Sequence, residues 1–252
     1  MASLQGRHAL VTGGGRGIGR AIAAALTQAG AVVTIAGRSE KPLADVVAKG
    51  WAAGYVIADV TDVNVVNSGV KQAVAARGPV DLLIANAGTA AAAPFIKAKP
   101  DQFRDMFEQH VLGMVHPVQA VLGSMIERGF GRIVAIASIV GLRASPNVSP
   151  YTTAKHAMVG LVRSIALETA GTGVTVNAVC PGFVDTDLIR GSMDKMVQQG
   201  MSKEDALSRF TARVPVGRLV KPEEVAEAVL YFCSPAAAAA TGATLVIGAD
   251  GA

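Results

Sequence analysis

Short apolar runs alternate along this chain with longer stretches in which apolar residues return about every three to four positions, the two periods that separate buried strands from amphipathic helices. Residues 8–12 form the first β-type run, and an Ala- and Leu-rich helical pattern follows over about residues 20–28. The alternation then recurs. Strands are predicted at 31–36, 55–58, 81–85, 132–137, 174–179 and 244–248, with helices at 42–49, 64–77, 101–127, 151–170 and 222–232 between and after them. The 31–36 run is apolar throughout, as a parallel strand covered on both faces should be. Alternating strands and helices with short connections predict an α/β fold: a Rossmann-type, doubly wound parallel sheet in a single domain spanning residues 1–252.

Two places break the pattern. Pro117 lies inside the long helix; a proline lacks its own N–H and crowds the carbonyl four residues back, so the Gly113 carbonyl should lose its partner and the helix should kink just after His110. Over residues 186–215 the periodicity loosens, and Leu188, Ile189, Met193, Met196, Met201 and Phe210 sit among charges. This stretch reads equally as a lid over a hydrophobic substrate or as a pair of amphipathic helices.

Composition narrows the class. The chain has 252 residues, 51% hydrophobic and only 17% charged, which suits packed helices against a buried sheet. Its net charge of +4 suggests a polyanionic partner at first sight, but the 23 Lys and Arg are scattered singly, so nucleic acid is not expected. The two cysteines, Cys180 and Cys233, have no ligand-spaced neighbours, and the four histidines form no i, i+4 pair, so no metal site is expected. Neither a secretory leader nor a membrane span is legible, and the expected location is the cytoplasm.

Candidate chemistry gathers at the ends of the predicted strands. Gly13-Gly14-Gly15-Arg16-Gly17-Ile18-Gly19 stands between the first strand and its helix, the order in which backbone N–H groups and a helix N-terminus receive a pyrophosphate. After the second strand comes Gly37-Arg38, where a ribose-binding carboxylate would mark NAD; an arginine there favours the 2′-phosphate of NADP(H), with NAD(H) retained as the alternative. Asp59 closes the third strand and could accept from an adenine amino group or cap the next helix. Asn86-Ala87-Gly88, Ser138 and Pro181-Gly182 close later strands, so in a parallel sheet all lie at the carboxyl edge where ligands bind. Tyr151 and Lys155 are i, i+4 neighbours on one helix face, and a cation beside a phenol should lower its pKa toward use in proton transfer.

Taken together, Thr12-Gly-x-x-x-Gly-x-Gly19, Asn86-Ala-Gly88, Ser138, Tyr151-x-x-x-Lys155, Pro181-Gly182 and Gly217-Arg218-x-x-x-Pro222-Glu223-Glu224 resemble the classical short-chain dehydrogenase/reductase family over nearly the whole chain. The resemblance implies that Tyr151 donates a proton to a carbonyl oxygen, that Lys155 lowers its pKa and holds the nicotinamide ribose, and that Ser138 polarises the carbonyl. It also implies cofactor contacts at Gly13, Arg16, Gly17, Ile18, Gly19, Arg38, Asp59, Val60, Asn86, Ala87, Gly88, Tyr151, Lys155, Pro181, Gly182, Val184 and Thr186. His110 is a further catalytic candidate, standing where the family usually has an Asn that supports a water chain to the lysine; the reading leaves open backbone support at the kink, a proton relay titrating near about pH 6.5, or simple packing.

A second departure from the family is the carboxyl end, Gly248-Ala249-Asp250-Gly251-Ala252, in place of a closing Asp-Gly-Gly. The implied protein is a homotetrameric NADP(H)-dependent reductase of a hydrophobic ketone, or dehydrogenase of the matching alcohol. The Thr211-Ala-Arg-Val-Pro-Val-Gly-Arg218 stretch is similar to β-ketoacyl and polyketide ketoreductases and to dehydrogenases of bulky alcohols alike. A cofactor-binding regulator that lost turnover through the change at His110 is the alternative class.

Overall fold

The computed structural model describes residues 4–212 and 214–248. A single parallel sheet of seven strands runs through them in the order β3-β2-β1-β4-β5-β6-β7. The strands are β1 (His8–Thr12), β2 (Val32–Gly37), β3 (Gly54–Ile57), β4 (Leu82–Ala85), β5 (Gly131–Ile136), β6 (Val174–Pro181) and β7 (Thr244–Ile247). Around them pack α1 (Gly17–Gln28), α2 (Glu40–Ala48), α3 (Val63–Arg77), α4 (Pro100–Phe107), α5 (Gly113–Glu127), α6 (Ser149–Glu168), α7 (Asp187–Gln198), α8 (Lys203–Thr211) and α9 (Pro222–Cys233). No helix among the described residues is long and apolar enough to cross a membrane.

The period-two logic of a strand divides the core into two. Ala9 and Val11 of β1 join Ile22 and Leu26 of α1 and Val225, Val229 and Phe232 of α9 on one face of the sheet. Leu10, between them, joins Met114 and Val118 of α5 and Met158 and Val162 of α6 on the other. Because both faces are covered, β4 is buried at every position, as are β1 and β5. β1 pairs with β2 on one side and β4 on the other, so the chain reverses its direction of winding between β1 and β4 and opens a crevice at their carboxyl ends.

One expectation needs correction, and two others resolve between their alternatives. The long helix is interrupted upstream of Pro117: a π-helical turn, Glu108–Leu112, joins α4 to α5, while Pro117 is buried within α5. A π turn accommodates one extra residue, and here it holds His110. Asp59 does not cap α3, because Asp62 does so, accepting from the backbone N–H groups of Asn64 and Val65 at 2.9 and 3.2 Å. The loose stretch after residue 186 folds into α7 and α8. α8 buries Ala206 and Phe210, the latter edge-to-face with Phe183 at 5.1 Å, whereas α7 buries none of its residues. Positions 249–252 of the carboxyl-end departure, and position 213, lie outside the described residues.

The Gly217-to-Glu224 motif has a structural meaning. Glu224 accepts from the Lys221 backbone N–H at 2.8 Å and takes both ends of the Arg218 guanidinium at 2.7 and 2.8 Å. These hydrogen bonds to Arg218 and Lys221 hold its carboxyl down at about 2 and fasten the entry to α9.

Candidate active site

The glycine loop is built by close approach. Gly13 has φ 66°, and a Cβ on it would fall 2.9 Å from both Ala87 Cα and Asn86 Nδ2. A Cβ on Gly19 would fall 2.3 Å from the Gly13 carbonyl oxygen, which no side-chain movement relieves. Asn86 locks the arrangement: its Nδ2 donates to the Thr12 carbonyl at 2.9 Å and to the Gly13 carbonyl at 3.3 Å. Thr12 completes it by accepting at Oγ1 from the backbone N–H groups of Asn86 and Ala87 at 3.0 and 3.1 Å. Asn86 is therefore a brace for the loop, and Thr12 is its partner, a role that only pairing of β1 with β4 makes visible.

A cleft opens against this brace, lined by Gly13, Arg16, Arg38, Asp59, Val60, Ala87 and Gly88. Gly15 of the glycine loop also lines it, as do Ser39, Pro42, Leu43 and Thr89, which the sequence motifs had not marked. Arg16 is the N-cap of α1 and exposed. Arg38 stands 4.0 Å from Asp59, whose Oδ1 also accepts from the Thr61 N–H and hydroxyl. Two guanidinium groups over a glycine-rich floor fit a phosphorylated dinucleotide. Across the loop, Thr186 is the N-cap of α7, its Cγ2 3.3 Å from the position of a Cβ on Gly17. Pro181 ends β6, Gly182 donates to the Ile247 carbonyl at 2.8 Å, and Val184 is buried in a bridge to Val220. Ile18 packs on the α1 side of the core.

Ser138, Tyr151 and Lys155 converge next to the cleft. Ser138 follows β5 and caps a short 3-10 turn, accepting from the Val140 N–H at 3.3 Å. Tyr151 and Lys155 share the first turns of α6, with Pro150 early in that helix where its missing N–H costs nothing. Lys155 is buried, and its Nζ donates to the Ile136 carbonyl at 2.8 Å and lies 5.6 Å from the Tyr151 ring centroid.

The electrostatics differ from the simple expectation that lysine lowers the tyrosine. Burial pushes the Tyr151 phenol up to about 12, and a hydrogen bond with Ser138 pulls the other way. Burial likewise brings Lys155 down to about 7, opposed by the nearby Cys180. Burial is thus the first cause of both shifts. Cys180 and Cys233 are both free and buried, and burial raises them to about 11 and 12.

His110 reaches the same cluster from the π turn. Its ring is edge-to-face with Tyr151, centroids 5.2 Å apart at 70°. Its Nε2 lies 2.7 Å from the Thr89 carbonyl oxygen. Burial, aided by the Lys155 charge, brings its pKa down to about 3, so the titration expected near pH 6.5 moves well into acid.

A family model described as short chain dehydrogenase matches residues 7–196. A Streptomyces coelicolor protein named for ketoacyl reduction is 39% identical over 97% of both chains, and an acetoacetyl-CoA reductase of Rhizobium meliloti is 37% identical over 95% of both. Among solved structures, a variant of actinorhodin polyketide ketoreductase with NADPH superposes with a TM-score of 0.91 at 37% identity, covering 99% of this chain and 98% of that one.

Proposed function

The chain belongs to the short-chain dehydrogenase/reductase family, and from that premise we propose that it reduces a β-ketoacyl-type or bulky hydrophobic ketone with NADP(H). The observation that carries the reading is the cluster of Ser138, Tyr151 and Lys155, which the His110 ring links to Gly88 on the wall of a cleft that presents Arg16 and Arg38. The glycine cradle and these two cations fit a phosphorylated nicotinamide dinucleotide, which supplies a hydride when bound. Relatives named for ketoacyl and acetoacetyl-CoA reduction, and a structural neighbour with NADPH, support the same choice of substrate class and cofactor.

In this reading Tyr151 gives its proton to the carbonyl oxygen as negative charge develops there, and the Ser138 hydroxyl donates to the same oxygen. The high pKa of Tyr151 keeps the proton on the phenol until the oxygen becomes basic enough to take it. Lys155, poised at about 7, holds the proton-exchange route behind the phenol and is positioned by the Ile136 carbonyl. With these three groups intact, the regulator alternative has no observation in its favour.

α7 and α8 act as the substrate lid over 186–215. α7 carries Leu188, Ile189, Met193 and Met196 on an amphipathic helix, with Leu188 exposed and the other three half-buried, so apolar surface is left for an apolar ligand. A homotetramer is the assembly the family reading implies, and exposed Phe107, Ile126, Leu167 and Tyr231 are apolar residues that copies of the chain would cover. The reduced, buried cysteines fit a cytoplasmic place of action.

The test is NADPH oxidation followed against a panel of β-keto thioesters, cyclic ketones and aryl ketones. Turnover with at least one β-keto thioester supports the reading; no oxidation with any member of the panel refutes it.

A further inference from the structure

On the reading of this protein as a ketone reductase, we infer that His110 is a positioning residue: it ties the turn after β4 to the ring of the proton donor Tyr151 and so fixes the phenol relative to the cofactor cleft. The tie has three contacts. A carbonyl oxygen only accepts, so the 2.7 Å contact to Thr89 puts the ring hydrogen on Nε2 and leaves Nδ1 as a bare lone pair. On another side, a Cβ on Gly88 would fall 2.2 Å from His110 Cε1 and 2.5 Å from Nδ1, so the ring fills the space that any larger residue at 88 would need. The third contact is the edge-to-face packing with Tyr151 at 5.2 Å.

Gly88 and Thr89 both line the cleft. One side chain, only 3% exposed, therefore connects a wall of the cofactor cleft to the acid that must meet the substrate oxygen. The π turn Glu108–Leu112 is what delivers it, since the extra residue in that turn leaves His110 and Val111 buried where α4 passes into α5. Nδ1 is buried with no hydrogen-bond partner among the described residues. The Lys155 charge nearby further opposes a second proton on the ring. A histidine that stays neutral, donates once and packs against both Gly88 and Tyr151 has the properties of a strut. An asparagine at 110, as the resembled family usually has, supplies no ring to set against Tyr151.

Three substitutions separate the two halves of the tie. His110→Phe keeps a ring against Tyr151 and removes the donor to Thr89; His110→Gln keeps a donor of similar reach and removes the ring; His110→Ala removes both. With the reductase assay in hand, kcat, KM for ketone and for NADPH, the kcat–pH profile and the solvent deuterium isotope effect are measured for all four proteins.

The inference predicts a kcat for His110→Ala lowered on the order of a hundredfold, the cost of a misplaced reacting group, with Phe and Gln variants intermediate. The isotope effect should grow as kcat falls, because proton donation becomes slower, while KM for NADPH stays within about twofold and the pH midpoint does not move. A wild-type kcat and isotope effect in His110→Ala overturn the inference, as does a pH midpoint that shifts in His110→Phe. If His110→Ala does not fold, wild-type kcat and isotope effect in both the Phe and Gln variants overturn it. A wild-type protein that reduces no ketone refutes the reductase reading itself and this inference with it, an outcome distinct from active wild type with unaffected variants.

Discussion

Asn86 donates its side-chain amide to the Thr12 carbonyl at 2.9 Å, so the residue after β4 is occupied in holding the glycine loop that follows β1. Its second donation, to Gly13, extends the brace to the first glycine of the loop. Asn86→Ala should therefore cost about 1–3 kcal/mol of stability, the typical penalty for leaving partly buried acceptors unpaired, and should weaken NADPH binding alongside. Denaturant unfolding and an NADPH titration of the same preparation check both effects.

Gly19→Ala is the harsher test of the same region. The added Cβ would meet the Gly13 carbonyl oxygen at 2.3 Å and Asn86 Nδ2 at 2.5 Å, and the first of these is backbone. The expected result is a loss of stability larger than in Asn86→Ala, with NADPH binding abolished or nearly so. Gly123→Ala is the control, because nothing lies within 4 Å of the place its added methyl would take, and it should unfold at or slightly above the wild-type midpoint.

Cofactor preference should move with the Gly37-Arg38 pair. Arg38 lines the cleft, its side chain is two-thirds exposed, and it makes a 4.0 Å ion pair with Asp59. Losing its charged hydrogen bond to a 2′-phosphate should raise the NADPH KM roughly 10- to 100-fold in Arg38→Leu while leaving the NADH KM nearly unchanged. Adding Gly37→Asp should complete a shift toward NADH, since a Cβ at 37 finds only ordinary contact with Leu43 at 3.4 Å. Wild-type protein with a higher kcat/KM for NADH than for NADPH would contradict the assignment.

Stability should depend on pH through two groups with lowered pKa. His110 drops from 6.5 to about 3 and Lys155 from 10.5 to about 7, so between each pair of values the unfolded chain binds more protons than the folded one. Stability then rises with pH across each window: the His110 contribution is present above pH 6.5 and lost toward pH 3, and the Lys155 contribution grows from about pH 7 toward 10.5. Tyr151 opposes the latter above pH 10, because its folded pKa of about 12 exceeds the unfolded value. Urea unfolding at several pH values, comparing wild type with His110→Phe in acid and Lys155→Met in base, should show each dependence flattened in the matching variant.

Much of the architecture was legible because strands buried on both faces need unbroken apolar runs, as Leu82, Leu83, Ile84 and Ala85 show. Their ends were less so: β2 runs Val32–Gly37 against an expected 31–36, since hydrogen bonding to neighbours, not apolarity, decides the last residue. The Tyr151–Lys155 pair was legible because helical spacing alone makes them neighbours. The electrostatic outcome was not, because it depends on how deeply the fold buries both groups. The π turn left no mark in the residues, and the visible irregularity, Pro117, drew attention to the wrong turn of the same helical run. Thr12 and Thr89 took their roles only through partners roughly 20 to 75 positions away in the chain.

The central claim is that Tyr151 supplies the proton for ketone reduction from a cleft that binds NADPH independently of the phenol. The most direct measurement is kcat for NADPH oxidation with a β-keto thioester, together with NADPH affinity by fluorescence titration, in wild type and Tyr151→Phe. The account predicts a wild-type protein that turns over and a variant whose kcat falls by at least about a thousandfold, near the upper part of the range for a lost general acid, with NADPH affinity within about twofold. Turnover in Tyr151→Phe comparable to wild type would contradict it.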